Sequence, residues 1–233
     1  MNARHGPRSP VGQPSPVVLK EVYGLRFDEA EMAKKEAIWR ELGGFLQRYI
    51  HSNACVVDIA CDVGYFIRNI RAAERWASDI RDVGKALPPD VRFVRASGLD
   101  LADVMPNGHF DIAFMSNYLE HLPSTEAVVQ QLRVAAFLLR PGGHVLILQP
   151  NIRLIGGSYW DFIDHQCALT EKSLAEAAAL AGFSTKRTVT RFLPYTTKSR
   201  FPQHHLLVRA YLGFPPAWWL FGKQTLYLGE KTL

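Results

Sequence analysis

A turn of small and acidic residues follows the first apolar run of the sequence. Asp58 lies near the end of the run 55–59, and residues 60–64 read Ala-Cys-Asp-Val-Gly, so that Asp62 places a second carboxylate in the turn. A turn that holds a diphosphate presents bare glycine backbone amides in the pattern G-x-G-x-x-G. Like charges a few ångströms apart repel by on the order of a few kcal/mol where water is partly excluded. The turn is therefore predicted to favour a cationic ligand over a phosphate.

Other residues with ligand chemistry follow the later apolar runs. They are Asp79, Ser97, Gly98, Leu99 and Asn117. In an open parallel sheet, ligands bind beyond the carboxyl ends of the strands, at the point where the strand order reverses. We therefore expect these residues to lie at one edge of a sheet, close to Asp58 and the turn 60–64.

Two histidines and an aspartate are the candidates for acid–base chemistry. His121 follows one apolar run, and Asp164 and His165 lie in a loop, 151–170, that follows another. Imidazole titrates near neutrality, which suits a general base. A packing or helix-capping role is the alternative for His121, and packing of aromatic residues is the alternative for the loop. The histidines and cysteines show no metal-ligand spacing, so no metal site is predicted.

Short apolar runs alternate with helical patterns along most of the chain. The predicted strands are 55–59, 76–78, 91–94, 111–115, 144–148, 185–192 and 224–228. Apolar residues at helical spacing predict helices over 28–50, after the turn 60–64, over 124–139 and over 171–181. Pro141-Gly142-Gly143 is predicted to end the third of these helices. This alternation implies a parallel sheet covered on both faces.

These motifs resemble those of the class I S-adenosylmethionine-dependent methyltransferases. The family pattern is an acidic strand end followed by a Gly-rich turn, and residues 56–64 read VVDIACDVG. The resemblance continues through Asp79, Phe110-Asp111, residues 117–122 (NYLEHL) and residues 139–143 (LRPGG), and covers nearly the whole chain from about Phe27. It implies a Rossmann-like α/β fold: a doubly wound, mostly parallel seven-stranded sheet with helices on both faces and an antiparallel last strand.

The resemblance also assigns roles to individual residues. Asp79 is expected to accept hydrogen bonds from both ribose hydroxyls of S-adenosylmethionine, because a carboxylate has two acceptor oxygens. The residues expected to hold the methionine portion are Asp58, Ala60, Cys61, Asp62 and Gly64. Those expected near the adenine are Ser97, Gly98 and Leu99, and Asn117 is expected at the lip of the transfer site. The cofactor carries an ammonium group and a sulfonium and has no phosphate, in agreement with the charge of the turn.

Three residues depart from the family pattern. Ala60 and Asp62 stand where the family usually has glycines, and Ser97 stands where it commonly has an acid. Aspartate tolerates left-handed backbone angles better than most residues, which makes Asp62 the milder change. The departures keep open an alternative: a catalytically inactive methyltransferase-fold protein with a binding or regulatory role.

Composition and charge restrict the partners and the compartment. The formal charge is +5, but the basic residues are scattered and form no nucleic-acid-binding signature, so no nucleic acid is expected. The cysteines Cys55, Cys61 and Cys167 form no C-x-x-C pair, which favours a reducing compartment and the cytoplasm. Residues 1–24 are rich in Pro, Gly and Ser and predict a flexible tail without the apolar core of a secretory signal. Residues 25–233 are predicted to form a single domain.

An aromatic stretch near the end of the sequence leaves several partners open. Residues 201–221 hold Trp218 and Trp219 among other aromatic residues, within a second predicted acceptor-side element over 195–222. Paired tryptophans with flanking basic residues suit a membrane surface. Contact with a second copy of the chain, or with the domain's own core, is the alternative.

The predicted activity is in-line transfer of a methyl group from S-adenosylmethionine to an oxygen or nitrogen of a small molecule or a glycan precursor. Such a transfer depends on alignment of the acceptor lone pair behind the methyl group. For a hydroxyl acceptor, a base such as His165 removes the proton. A nucleotide-dependent oxidoreductase is disfavoured by the carboxylate of Asp62.

Overall fold

The computed structural model describes residues 29–195 and 204–232. The predicted tail, 1–24, and residues 196–203 of the second predicted acceptor-side element lie outside the described residues. The strands are β1 Cys55–Ile59, β2 Glu74–Asp79, β3 Val91–Arg95, β4 Phe110–Ser116, β5 Leu139–Pro150, β6 Phe183–Leu193 and β7 Gln224–Lys231. They form one seven-stranded sheet in the order β3-β2-β1-β4-β5-β7-β6.

The strand directions confirm the predicted fold class. Strands β1 to β5 pair in parallel, and β7 is antiparallel to both of its neighbours, β5 and β6. The chain runs outward from β1 through β2 to β3 and then returns to β4 on the other side of β1. The strand order therefore reverses between β1 and β4, and the crevice beyond their carboxyl ends is where this fold binds ligands.

The central strands are buried on both faces, as parallel strands covered by helices must be. In β1, Val56, Val57 and Ile59 have no exposed surface. Successive side chains point to opposite faces, so Val57 and Ile59 join one apolar cluster and Val56 joins the other. Asp58 lies in register with Ala77 of β2 and Phe114 of β4, which places its carboxylate in the middle of the sheet near the switch point.

Helices cover both faces of the sheet. They are α1 Glu29–Leu46, α2 Thr125–Leu138, α3 Ile152–Ile155, α4 Glu171–Leu180, α5 His205–Gly213 and α6 Pro215–Phe221. Buried residues of α2 and α4 belong to one apolar cluster, and those of α1, α5 and α6 belong to the other. The start of α2 is capped by Ser124 Oγ, which accepts a hydrogen bond from the Ala127 amide at 3.2 Å. Among the described helices, none has both the length and the apolar composition that crossing a membrane requires.

The prediction of a helix after the turn 60–64 is wrong. Its place is taken by a single 3-10 turn, Ile67–Asn69. The apolar residues that suggested a helix are buried by that turn instead: Ile67 has no exposed surface, and the Phe66 ring stacks on Phe114 with a centroid distance of 3.6 Å. One turn of chain is therefore enough to bury them against the sheet.

The helix predicted over 124–139 is confirmed to within one residue at each end, but the following strand begins earlier than the predicted residue 144. Helix α2 ends at Leu138, and the chain continues directly into β5, within which Pro141, Gly142 and Gly143 lie. Leu139 already pairs with Phe110, and the register between the two strands shifts before His144 pairs with Ile112. The proline and glycines therefore form an irregularity in β5, with Gly142 at a φ of 73°.

Candidate functional site

The turn after β1 keeps a backbone that glycine favours, although two of its residues have side chains. Ala60, Asp62 and Gly64 have φ angles of 57°, 53° and 80°, all in the left-handed region. For a residue other than glycine this conformation costs on the order of 1–3 kcal/mol and persists only where the surroundings enforce it. Here Cys61 donates its amide to the Ser78 carbonyl at 2.9 Å, and the Asp62 amide donates to Asp79 Oδ2 at 3.0 Å. The end of β2 therefore holds the turn in this shape.

The φ angle of Gly64 favours glycine, and a side chain here would also force Leu87 to move. A Cβ atom at this position would lie 2.2 Å from Cδ2 of Leu87. The glycine lets the chain after β1 pass close to the segment that follows β2. Of the three left-handed positions in the turn, this one has both a conformational and a steric reason for glycine.

Asp79, the expected ribose ligand, is buried at the end of β2 and is fully hydrogen bonded. Its Oδ1 accepts from the Arg81 backbone amide and from Arg81 Nε, both at 2.9 Å. Its Oδ2 accepts from the Asp62 amide and from Arg81 Nη2, both at 3.0 Å. Each carboxylate oxygen has about two lone-pair directions, so these four bonds occupy the acceptor capacity of Asp79.

Arg81 is a site residue that the sequence interpretation missed. Its guanidinium bridges two carboxylates, because Nη2 also lies 2.8 Å from Asp62 Oδ1. Burial alone lowers the pKa of Arg81, but the hydrogen bonds and negative charges of Asp79 and Asp62 outweigh it and hold that pKa above its ordinary value. The Arg81 side chain therefore stays charged in the crevice. The spacing Asp-x-Arg is the only sequence signal for this pair.

The ribose of S-adenosylmethionine fits Asp79 only if Arg81 gives way. The two ribose hydroxyls need acceptor positions that Arg81 Nε and Nη2 fill. The displaced guanidinium keeps a partner in Asp62, with which it already pairs. The Asp79 carboxylate thus suits the cofactor in chemistry and position, and we propose that Arg81 competes with the cofactor for it.

We expect Arg81→Ala to tighten S-adenosylmethionine binding about tenfold, which is about 1.4 kcal/mol. Hydrogen bonds to charged groups contribute about 1.5–3 kcal/mol each, and part of that loss on displacement is recovered at Asp62. Titration calorimetry of the cofactor into both proteins measures the change. Arg95→Ala is the matched control, because Arg95 is the last residue of β3, in register with Asp79, and its Nε donates to the Ile80 carbonyl rather than to a carboxylate. Equal or weaker binding by the Arg81 variant contradicts the competition.

Asp58 offers a second carboxylate for the cofactor. It is 3% exposed, and its Oδ2 has no hydrogen-bond partner among the described residues. Burial, followed by the charges of Asp79 and Asp62, raises the pKa of Asp58 well above its ordinary value, against a hydrogen bond from the Ile67 amide. An ammonium group against Oδ2 would supply the missing partner and favour release of the proton. This orphaned oxygen fits the methionine end of S-adenosylmethionine.

The residues expected near the adenine lie where β3 ends, but they also have structural roles. Ser97 caps the 3-10 turn Gly98–Asp103, since its Oγ accepts from the Leu99 amide at 3.3 Å. A Cβ on Gly98 would lie 2.4 Å from Tyr118 Oη and 2.5 Å from Gln131 Oε1. The close approach of Tyr118 therefore explains the glycine without a ligand, and a role of these residues toward adenine stays a prediction.

Asn117 lies directly after β4, at the switch point. It has a φ of 48°, and its amide donates to the Leu148 carbonyl of β5 at 2.9 Å. Its side-chain Nδ2 donates to Ser116 Oγ at 2.9 Å. Asparagine is one of the few residues that enter the left-handed region readily, so the backbone alone is a reason for its type.

The three residues predicted for acid–base chemistry lie together. The loop 151–170 folds back on the 3-10 turn Leu119–His121, because the amides of Gln166 and Cys167 donate to the Glu120 carbonyl at 2.8 and 3.0 Å. His121 Nδ1 donates to the Asp164 carbonyl at 2.9 Å and lies 3.4 Å from Asp164 Oδ2.

The two imidazoles of this cluster are held in the same way. His165 Nδ1 donates to the Tyr159 carbonyl at 2.7 Å, as His121 Nδ1 does to the Asp164 carbonyl. A neutral imidazole with its proton on Nδ1 has its lone pair on Nε2. The ring centroids of His121 and His165 are 5.1 Å apart. Both rings therefore present a basic nitrogen beyond the end of β4, the neighbour of β1.

Comparisons with known proteins agree with this geometry. A family model described as a methyltransferase domain matches residues 32–187, more than half of the chain. No curated protein is significantly similar to this sequence.

Solved structures share the fold at low sequence identity. One is a chain of the Haloferax volcanii complex between the Trm112 methyltransferase activator and a methyltransferase, with a TM-score of 0.67 and 16% identity, covering 91% of this chain and 98% of that one. Another, a Thermotoga maritima S-adenosylmethionine-dependent methyltransferase, has a TM-score of 0.62 and 14% identity, covering 91% and 99%. The [4+2]-cyclase SpnF has a TM-score of 0.57 and 16% identity, covering 83% and 81%.

Proposed function

Because the chain belongs to the methyltransferase-domain family, with S-adenosylmethionine as its cofactor, we propose that it transfers the cofactor's methyl group to an oxygen or nitrogen of a small molecule or a glycan precursor. The observation that supports the proposal is the group of three carboxylates at the switch point, two of which already hold the cationic Arg81. Asp58 on β1, Asp62 in the turn and Asp79 at the end of β2 line one crevice. Once Arg81 gives way and Asp58 releases its proton, these carboxylates attract the ammonium and sulfonium of the cofactor and repel a diphosphate.

The acceptor side of the proposal rests on the cluster of His121, Asp164 and His165. Methyl transfer is an in-line displacement at carbon, so most of the protein's contribution is alignment of the acceptor behind the methyl group. A hydroxyl acceptor also has to lose its proton, and Nε2 of either imidazole is a base with a suitable lone pair. Asp164 orients His121 through the contacts at Nδ1.

The test is acceptor-dependent formation of S-adenosylhomocysteine. A panel of hydroxylated and aminated small molecules and glycan precursors is incubated with the protein and S-adenosylmethionine. For a hydroxyl acceptor we expect His165→Ala to lower kcat by about 100-fold, within the range usual for loss of a general base, and to leave cofactor affinity unchanged. Asp161→Ala is the matched control in the same loop. A His165 variant as active as the parent on a hydroxyl acceptor contradicts the proposed base.

A second candidate function is supported by the state of Asp79. A cofactor-binding protein without catalysis could keep the crevice while Arg81 occupies the ribose ligand. Binding of S-adenosylmethionine without turnover on any acceptor of the panel would favour this candidate.

The cysteines and an exposed apolar surface bear on the compartment and the partners of the protein. Cys55, Cys61 and Cys167 are thiols rather than disulfides, which supports work in a reducing compartment such as the cytoplasm. Helices α5 and α6 present an apolar surface, which we define by its exposed residues Leu206, Leu207, Phe214, Trp219, Leu220 and Phe221. We propose that this apolar surface meets a partner, either a membrane surface or a second copy of the chain.

A further inference from the structure

Glu120 is a buried carboxylate with an incomplete set of partners. It is 1% exposed, and its Oε2 has no hydrogen-bond partner among the described residues. An ionised carboxylate in such a place costs several kcal/mol unless a positive charge accompanies it. A positively charged partner at Oε2 would complete this set.

Two imidazole nitrogens lie next to this carboxylate. Glu120, His121 and His165 each offer one possible metal-ligand atom, and these three atoms lie within 4.8 Å of one another. His121 Nε2 is 3.9 Å from Glu120 Oε1. Two histidines and one carboxylate are a ligand set that zinc takes in catalytic sites, where it keeps a fourth position open.

The hydrogen bonds at Nδ1 of these two histidines are of the kind that metal-bound imidazoles make. A metal-bound imidazole usually donates its other N–H to a backbone carbonyl or a carboxylate, which fixes the ring and its tautomer. His121 does so to the Asp164 carbonyl and His165 to the Tyr159 carbonyl. The tautomer that results has the lone pair of each ring on Nε2, as metal binding requires.

We propose that Glu120, His121 and His165 form a binding site for a divalent metal ion of the zinc type, with an open coordination position facing the acceptor. At metal–ligand distances of about 2.0–2.2 Å a tetrahedral ion holds its ligand atoms roughly 3.4 Å apart. Binding therefore draws the three side chains together by up to about 1.5 Å. Side-chain rotation of the two half-buried histidines accommodates a change of this size.

The site has a role in the reaction that rests on the proposed function. An acceptor hydroxyl at the open position acquires a lower pKa and gives its proton to solvent. Its oxygen then forms the bond to the methyl carbon as the bond from that carbon to sulfur breaks. The electron pair of that bond remains on sulfur, and S-adenosylhomocysteine leaves. With the ion bound, the two histidines act as its ligands. The ion, rather than an imidazole base, then activates the acceptor hydroxyl.

A second trio of ligand-type residues, Cys55, Glu74 and His109, provides a control. Here Glu74 Oε2 already accepts from Trp76 Nε1 at 3.1 Å and contacts His109 Nε2 at 3.2 Å. Because this carboxylate lacks no partner, the second trio shows no need for an ion. His109→Gln removes one of its ligands without touching Glu120.

The experiment is titration of chelator-treated full-length protein with zinc chloride, followed by calorimetry, and with cobalt chloride, followed by visible absorption. We expect one equivalent to bind, with affinity lowered at least 100-fold by His165→Ala and by Glu120→Gln and unchanged by His109→Gln. Circular dichroism verifies that each variant is folded. The two variants together keep the test decisive, because His165 is half-buried and its replacement disturbs little of the core.

Two results overturn the proposal: absence of zinc binding by the folded parent, and binding that His109→Gln removes and His165→Ala preserves. S-adenosylmethionine is titrated into the same metal-free protein to separate the two proposals. A protein that binds the cofactor but not zinc refutes the metal site alone. A protein that binds zinc but not the cofactor refutes the proposed methyltransferase function and leaves the metal site standing.

Discussion

Replacing Asp79 by asparagine is expected to weaken S-adenosylmethionine binding about 100-fold, or about 2.7 kcal/mol. In its proposed role the carboxylate accepts from both ribose hydroxyls, and hydrogen bonds to charged groups contribute about 1.5–3 kcal/mol each. Asparagine keeps one acceptor oxygen and turns the other position into a donor. Titration calorimetry with S-adenosylmethionine and S-adenosylhomocysteine measures the loss, which should be similar for both because the ribose is common to them.

The matched control is Asp90→Asn, which makes the same change at an exposed carboxylate that pairs with Arg75. This variant is expected to bind the cofactor like the parent. Unfolding of the Asp79 variant is monitored in parallel, because Asp79 is buried and pairs with Arg81. Unchanged affinity in a folded Asp79 variant would refute the ribose site.

A double-mutant cycle connects this prediction with Arg81. If Arg81 competes with the ribose only through Asp79, then Arg81→Ala tightens binding in the parent and does nothing in the Asp79→Asn background. Residues in direct contact show such coupling, whereas distant ones add. Equal gains in both backgrounds would mean that Arg81 acts on the cofactor by its charge alone.

Replacing Trp218 by alanine is expected to lower the free energy of unfolding by about 3–5 kcal/mol, the usual cost for a large buried aromatic residue. Trp218 is 7% exposed and packs edge-on against Phe45 and Phe192, with centroid distances of 5.6 and 5.2 Å. Its Nε1 donates to the Tyr211 carbonyl at 2.7 Å, which ties α6 to α5. Urea denaturation measures the loss.

Trp219 is the control that the chain itself supplies. It is 72% exposed, so Trp219→Ala should change stability by no more than about 0.5 kcal/mol. Similar destabilisation by the two substitutions would contradict the packing described for Trp218. Only the Trp219 variant is suited to testing the apolar surface, by co-sedimentation with liposomes for a membrane and by light scattering for a second copy.

Part of the site is predictable from local sequence because it depends on strand ends. Asp58 and Asp79 each follow an apolar run, and parallel strands bring their carboxyl ends to one edge. The left-handed angles at Ala60 and Asp62 agree with the glycines expected there. Such features follow from periodicity and turn chemistry, which act over a few residues.

The rest depends on contacts that no local pattern encodes. The pairing of Arg81 with Asp79 requires a guanidinium to fold back over the end of the preceding strand, β2. The approach of His165 to Glu120 depends on the hydrogen bonds from Gln166 and Cys167. The 3-10 turn that replaces the predicted helix depends on stacking of Phe66 on Phe114 of β4. In each case a tertiary contact selects one local conformation or side-chain pairing among several that the local sequence allows.

The insertion of β7 between β5 and β6 sets the order in which the protein can fold. Among the described strands, β6 pairs with β7 alone, and β7 also covers the edge of β5 that β4 leaves open. During synthesis, β5 and β6 therefore emerge from the ribosome before the strand that joins them. Until residues 224–231 follow, both have unpaired backbone edges of the kind that template aggregation. The sheet is thus completed by its last-made strand, in a non-local step that is expected to be slow.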